Sequence, residues 1–314
     1  MLPGHKPARP IWYDGALVSW EDATASVLAH GIQRGSLVFD VGAMRAGADG
    51  GRRLFRPLEH IRRFLRSAAL VGLDVRPDAS SLLDATLKTS RASGVSSALV
   101  RWSAFVPSPE PDVVPRTDAR VSVSIAVITA DDYALWGDPP APRPQSARIL
   151  VPRDMRKAGP DVLPPQAKAA GAYLGPMLAK RRALAAGFDE VVLLDDEGFV
   201  AEAPTANVFA VIGGALWTPP LGRVLSGITR DSILAIARAE GIATVEAPFG
   251  VDELSGADEA FLTATSLPVQ PIASVDGHAL RGGAPGAVTD RLRSLLLACE
   301  RGEDPRFETW TTLV

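Results

Sequence analysis

The sequence predicts an α+β fold in two domains, a small one over 1–134 and a larger β-rich one over 146–314, with a proline-rich linker at 135–145. Three observations carry this. At 314 residues the chain exceeds the ~250–300 at which a single hydrophobic core stops growing. The stretch "LWGDPPAPRPQ" places four prolines within six residues, a composition that neither propagates a helix nor pairs inside a sheet. Strand-like and helix-like periodicities alternate on both sides of that break.

In chain order, "PIWYDGALVSW" reads as two strands around a tight turn at Asp14-Gly15, a dipeptide that accepts the positive φ of hairpin turns. "GSLVFDVGAMRA" and "RRLFR" form a second hairpin across "GADGG". Residues 57–72 open with Pro57 at a first helical position and repeat Leu58, Ile61, Leu65 and Ala68 at helical spacing. Asp78 can cap a second helix that Gly94 ends. "SSALVRWSAFV" and "RVSVSIAVI" then pair as strands. Beyond the linker, "ARILVP", "EVVLLDDEGFVAEA", "NVFAVIGGALWTPP" and "EAFLTATSLPVQPIASV" are β-rich, with hairpin signals at Glu197-Gly198 and Gly213-Gly214. Helices interrupt them at 172–186, closed by Gly187; at 230–240, opened by Thr229 and closed by Gly241; and at 287–300, closed by Gly302. A mixed sheet or barrel with helices around it follows.

Composition excludes several classes. A net charge of -3 offers no basic field to hold a phosphate backbone, so nucleic acid is not expected as a partner. One cysteine, Cys299, allows no intramolecular disulfide, and no apolar run approaches the ~18 residues of a membrane span. A cytoplasmic protein without a membrane partner is expected. His5, His30, His60 and His278 are scattered without metal-ligand spacing, so no metal is expected. The serine-hydrolase elbow and the Walker pattern are absent, and "GGAPGAV" near residue 285 reads as a turn before a helix.

One lysine stands apart. In "LPPQAKAAGAYLGP" Lys168 follows Pro164 and Pro165 and is flanked by Ala167, Ala169, Ala170 and Gly171. Most lysines serve a solvated face. Here small neighbours leave room for a flat group beside the amine, and a desolvated amine can form a Schiff base with an aldehyde. Taken alone, Thr229 reads as an N-cap, Thr265 as a strand-end threonine, and Arg63, opposite the Leu58/Ile61/Leu65 stripe, as a surface residue.

Five ordered blocks then show a resemblance. "WYDGALVSWEDATASVLAHGIQRGSLVFD", "LFRPLEHIRRF", "LPPQAKAAGAYL", "GFVAEAPTANVFAV" with "LSGITRDSILAIA", and "FLTATSLPVQPI" are similar, over nearly the whole chain, to the class IV aminotransferases of pyridoxal phosphate fold type IV, and most to their branched-chain amino acid enzymes. That resemblance implies a small N-terminal α/β domain, a larger C-terminal β-barrel-like domain with surrounding helices, and a homodimer. It implies transfer of an amino group between a hydrophobic, branched-chain-like amino acid and a 2-oxo acid through a lysine Schiff base and a pyridoxamine form. Pyridoxal 5'-phosphate is the implied cofactor. Lys168 corresponds to the Schiff-base lysine, Tyr173 to the partner of the phenolic oxygen, and Glu202 to the carboxylate facing the pyridine nitrogen. Ile228, Thr229, Thr265 and Arg63 correspond to the phosphate contacts.

The substrate positions depart from the pattern. Where the branched-chain enzymes have two tyrosines this chain has Arg34 and Leu99, while the pocket residues Phe39 and Arg101 are kept. Arginine can grip a carboxylate with two bonds. Arg34 could thus favour a D-amino acid, an unusual oxo acid or a distal acidic group, or could lie outside the pocket. Asp40 stands where those enzymes have glutamate, and a turn or strand-end carboxylate is as good a reading as a pocket role. D-amino acid or (R)-amine transamination and the aminodeoxychorismate lyase reaction stay open on the same fold. A non-catalytic scaffold gains little, because the chemically competent residues are all present.

Overall fold

The computed structural model describes residues 7–132 and 144–314. His5 and residues 135–143 of the expected linker lie outside them. The chain divides into two compact units. One comprises Met1–Pro142, Ala167–Gly171 and Cys299–Val314, the other Arg143–Gln166 and Ala172–Ala298.

The first unit is an antiparallel sheet with two long helices. Strands β1 (Ile11–Tyr13) and β2 (Ala16–Val18) turn at Asp14 and Gly15, whose φ angles of 46° and 103° are those that a tight hairpin requires. Helix α1 (His30–Arg34) ends at Gly35 in the left-handed region, φ 67°. Strands β3 (Val38–Ala46) and β4 (Arg52–Phe55) form the expected hairpin. Helix α2 (Pro57–Leu70) begins with Pro57, and α3 (Ala79–Ser93) is capped by Asp78, which accepts the Ser81 N–H at 2.8 Å. Strands β5 (Ala98–Phe105) and β6 (Ser122–Ile128) complete the middle of the sheet. From one edge its order is the C-terminal strand Thr311–Leu313, β4, β3, β5, β6, β1, β2. Ile61, Phe64 and Leu82 of the helices and Val100, Trp102, Ile125 and Val127 of the strands are buried together as its core.

The second unit holds a mixed sheet ordered β12, β11, β10, β13, β14, β7, β8. Its strands are β7 (Ala147–Leu150), β8 (Glu190–Val191), β9 (Glu202–Ala203), β10 (Ala206–Ile212), β11 (Ala215–Thr218), β12 (Thr244–Glu246), β13 (Glu259–Ala264), β14 (Leu267–Val275) and β15 (His278–Ala279). The short β9 and β15 pair with β10 and β14. Gly213 and Gly214, both at positive φ, turn β10 into β11 as expected. The helices are α4 (Leu174–Ala185), α5 (Ile228–Ala239), α6 (Val251–Ser255) and α7 (Ala287–Arg301), the last carrying residues of both units. A buried cluster including Val192, Val208, Leu254, Leu262 and Ile272 fills this unit.

Three expectations change. Thr229 does not occupy the N-cap position of α5; Gly227 does, without a side-chain bond to the first turn, and Thr229 sits buried in that turn. Arg63 is buried, not on the surface, because Asp40 draws it inward against the apolar stripe of α2. Asp40 lies inside β3, not at a turn or strand end. The short helices α1 and α6 and the C-terminal strand have no strong sequence signal.

Candidate functional site

In the first unit the segment around Lys168 is tied to β3. The Lys168 carbonyl accepts the Phe39 N–H at 3.0 Å, the Ala170 N–H donates to Leu37 O at 2.7 Å, and the Gly171 N–H donates to Gly35 O at 2.9 Å. The Lys168 N–H donates to Ser67 Oγ of α2 at 3.0 Å. These bonds explain why residues 167–171 belong to this unit. They also give the small residues a second use: a Cβ at Gly35 would lie 3.2 Å from the Gly171 Cα, so only glycine admits this approach comfortably.

Lys168 Nζ lies 5.1 Å from the centroid of the Phe39 ring, and the Arg101 guanidinium carbon lies 4.1 Å from the same ring. Both cations use the negative face of one aromatic. Arg101 is placed by the β3–β5 pairing, opposite Val41.

Beside this group Asp40 is wholly buried and fully bonded. Arg63 donates Nε to Oδ2 and Nη2 to Oδ1, each at 2.7 Å, while Val41 N–H and His60 Nδ1 reach Oδ1 at 2.7 and 2.8 Å. Burial alone would raise the Asp40 carboxyl, but the charge and hydrogen bonds of Arg63, helped by His60, hold it well below the usual carboxylate range. An ionised carboxylate only accepts, so Nδ1 of His60 carries the proton. Burial pushes His60 down, the Arg63 and Lys168 charges add to that, and Asp40 opposes it. His60 is therefore neutral, stacked 6.1 Å from Trp102.

The second unit carries a ringed carboxylate. Glu202 Oε1 pairs with Lys157 Nζ at 3.1 Å, and Oε2 accepts from Asn207 Nδ2 and the Leu225 N–H, both at 3.1 Å. Lys157 also donates to Arg223 O at 3.2 Å. Close by in sequence, Gly227 opens α5 without a side-chain cap. The first N–H groups of such a helix, with their partial positive charge, favour an anion. Ile228 and Thr229 are the first two helical residues, both buried. Thr265 is half-buried in the two-residue turn between β13 and β14.

The expected residues therefore fall in two groups. Lys168, Phe39, Arg63 and Arg101 cluster in the first unit; Glu202, Ile228, Thr229 and Thr265 lie in the second, as does Tyr173, which precedes α4. Arg34 is exposed at the end of α1, one residue from the peptide that Gly171 bonds. Sequence reading missed His60, Lys157 and Asn207. Asn207 had a readable signal, being five residues after Glu202 across a two-residue turn; Lys157 had none. Among the described residues no group of three or more His, Cys, Asp or Glu could hold a metal ion, and no helix is long and apolar enough to cross a membrane.

The family model for amino-transferase class IV matches residues 38–275. The branched-chain-amino-acid aminotransferase of Pseudomonas aeruginosa is 33% identical over 305 residues, covering 97% of each chain. Among solved structures, the branched-chain aminotransferase of Thermoproteus uzoniensis with norvaline superposes with a TM-score of 0.89 at 32% identity, over 97% of this chain and 99% of that one. The branched-chain amino acid aminotransferase of Thermobaculum terrenum in its PLP-bound holo form gives 0.89 at 28% identity, over 98% and 99%.

Proposed function

The chain belongs to the class IV aminotransferases, and from that premise we propose that it moves an amino group between a hydrophobic, branched-chain-like amino acid and a 2-oxo acid on pyridoxal 5'-phosphate, with Lys168 as covalent anchor. The observation that carries the assignment is the ringed carboxylate of Glu202, which three donors hold in one place, suited to face a ring nitrogen. The donor set fits the rest of the cofactor. In the second unit the start of α5 with Ile228 and Thr229, free of a side-chain cap, and the turn residue Thr265 suit a phosphate, and Tyr173 suits a phenolic oxygen; Arg63 is proposed as the phosphate's cation on the resemblance alone.

When bound, the cofactor supplies an aldehyde that takes up the amino group and a ring that accepts electron density from the substrate α-carbon. The chain's own work is then local. Lys168 Nζ carries the proton that leaves the α-carbon, from a backbone held at both its N–H and its carbonyl. Glu202 keeps a proton on the ring nitrogen. Arg101, set against Phe39, meets a substrate carboxylate, and Phe39 meets an apolar side chain.

Wild-type protein mixed with pyridoxal 5'-phosphate is expected to develop a bound-cofactor absorbance band that K168A lacks, and to transaminate L-leucine. A wild type that takes up no cofactor would overturn the assignment. Arg34 and Leu99, which replace two aromatic hydroxyls, favour a second reading toward D-amino acids or (R)-amines. Activity on D-alanine or (R)-1-phenylethylamine, with none on L-leucine, would select it. Turnover of aminodeoxychorismate would mark the lyase reaction.

We also propose a cytoplasmic homodimer. Leu174, Met177 and Leu178 of α4 are 61%, 48% and 48% exposed at helical i, i+3, i+4 spacing, an apolar stripe suited to cover by a second copy.

A further inference from the structure

Glu202 and Asn207 are register partners in the β9–β10 hairpin, joined through the turn residues Pro204 and Thr205. The Asn207 carboxamide spends both of its hydrogens on two different elements. Nδ2 donates to Glu202 Oε2 and to Leu225 O, each at 3.1 Å. The Leu225 N–H returns to the same Oε2 at 3.1 Å, which closes a ring of three hydrogen bonds. Leu225 O also accepts the Gly227 N–H at 2.8 Å, so the ring continues into the residue that caps α5. The other end of the carboxamide bears on that cap as well: a Cβ added at Gly227 would run into Asn207 Oδ1. Asn207 is buried, so no water replaces these contacts at low cost.

One side chain thus touches the carboxylate and both residues, 225 and 227, that lead into the first turn of α5. We infer that Asn207 is a positioning residue that locks the Glu202 carboxylate to the start of α5, making the ring-nitrogen contact and the phosphate contact one rigid piece. The inference rests on the cofactor assignment above. It goes further in giving a residue that contacts Glu202 and the approach to α5 a defined effect on both ends of the cofactor. Glycine at 227 follows from the same packing, because the cap must leave space for Oδ1 rather than supply a capping side chain of its own.

The test uses the full chain as apoprotein, titrated with pyridoxal 5'-phosphate and followed by bound-cofactor absorbance across pH, with inorganic phosphate as competitor. N207A is expected to raise the dissociation constant by about tenfold or more, to weaken inorganic phosphate, and to move the pH midpoint of the bound-cofactor band. N207D, which keeps the volume but removes the donor, should do the same. N207S, which keeps one donor, should fall between, and stands in for N207A if that variant does not fold by circular dichroism. G227A should reproduce N207A by displacing the carboxamide, and the double variant should lose no more than the worse single one.

Wild-type affinity and an unchanged midpoint in N207A and N207D would overturn the inference while leaving the cofactor assignment in place. So would fully additive losses in the double variant. Absence of a cofactor band in the wild type would instead remove the assignment on which it rests.

Discussion

At the scale of single residues the strongest commitment is Asp40, an anion with no solvent and four donors. Removing its charge in D40N takes the carboxylate away from the buried Arg63 guanidinium, which is expected to cost about 3–5 kcal/mol in denaturant unfolding. The pH dependence follows from two depressed groups. Asp40 contributes stability that is full above the ordinary carboxylate value of ~3.9 and is lost as pH falls through its own lower value. His60 is held neutral, so its contribution is full above ~6.5 and is lost as pH falls below that. The melting temperature should therefore drop in two stages on acidification. H60N should remove the upper stage, and an unchanged profile in H60N would contradict the neutral assignment.

At the scale of elements, the β3–Lys168 junction depends on two glycines in contact. G35A introduces a side chain at φ 67° and against the Gly171 backbone. It is expected to cost about 1 kcal/mol or more in thermal unfolding and to weaken cofactor uptake by shifting the Lys168 segment. The hairpins, the Asp78 cap, the Pro57 start and the glycine stops were legible in the sequence because each rests on a local dihedral or capping rule. Helix α1 was not, since five residues give no periodicity to read. The burial of Arg63 was not legible from periodicity either, because an ion pair with Asp40 of a different element overrides the face on which the helix puts it. Glu202 was found through resemblance, whereas its partners Lys157 and Leu225 are distant in sequence and meet it only through the fold.

At the scale of the molecule, M177E places a charge on the exposed stripe of α4 and is expected to shift the sedimenting species from two copies to one. A wild type that sediments as a single copy would contradict the dimer. Read from the sequence, the chain divides at its proline-rich stretch, 135–145, into two consecutive domains, 1–134 and 146–314. The first unit instead draws on three separated stretches, 1–142, 167–171 and 299–314. Proline content marks where a chain cannot pair, but says nothing of which later residues return to an earlier sheet.

That return sets an order of events during synthesis. The sheet of the first unit ends in Thr311–Leu313, hydrogen-bonded along β4, and those residues leave the ribosome after every other strand of that sheet. Until they arrive, β4 exposes a free edge that can template pairing with another nascent chain. Cells making this protein at high rate should therefore meet aggregation late in translation, and a chaperone that shields the β4 edge should raise the yield of folded protein more than one that acts on the second unit.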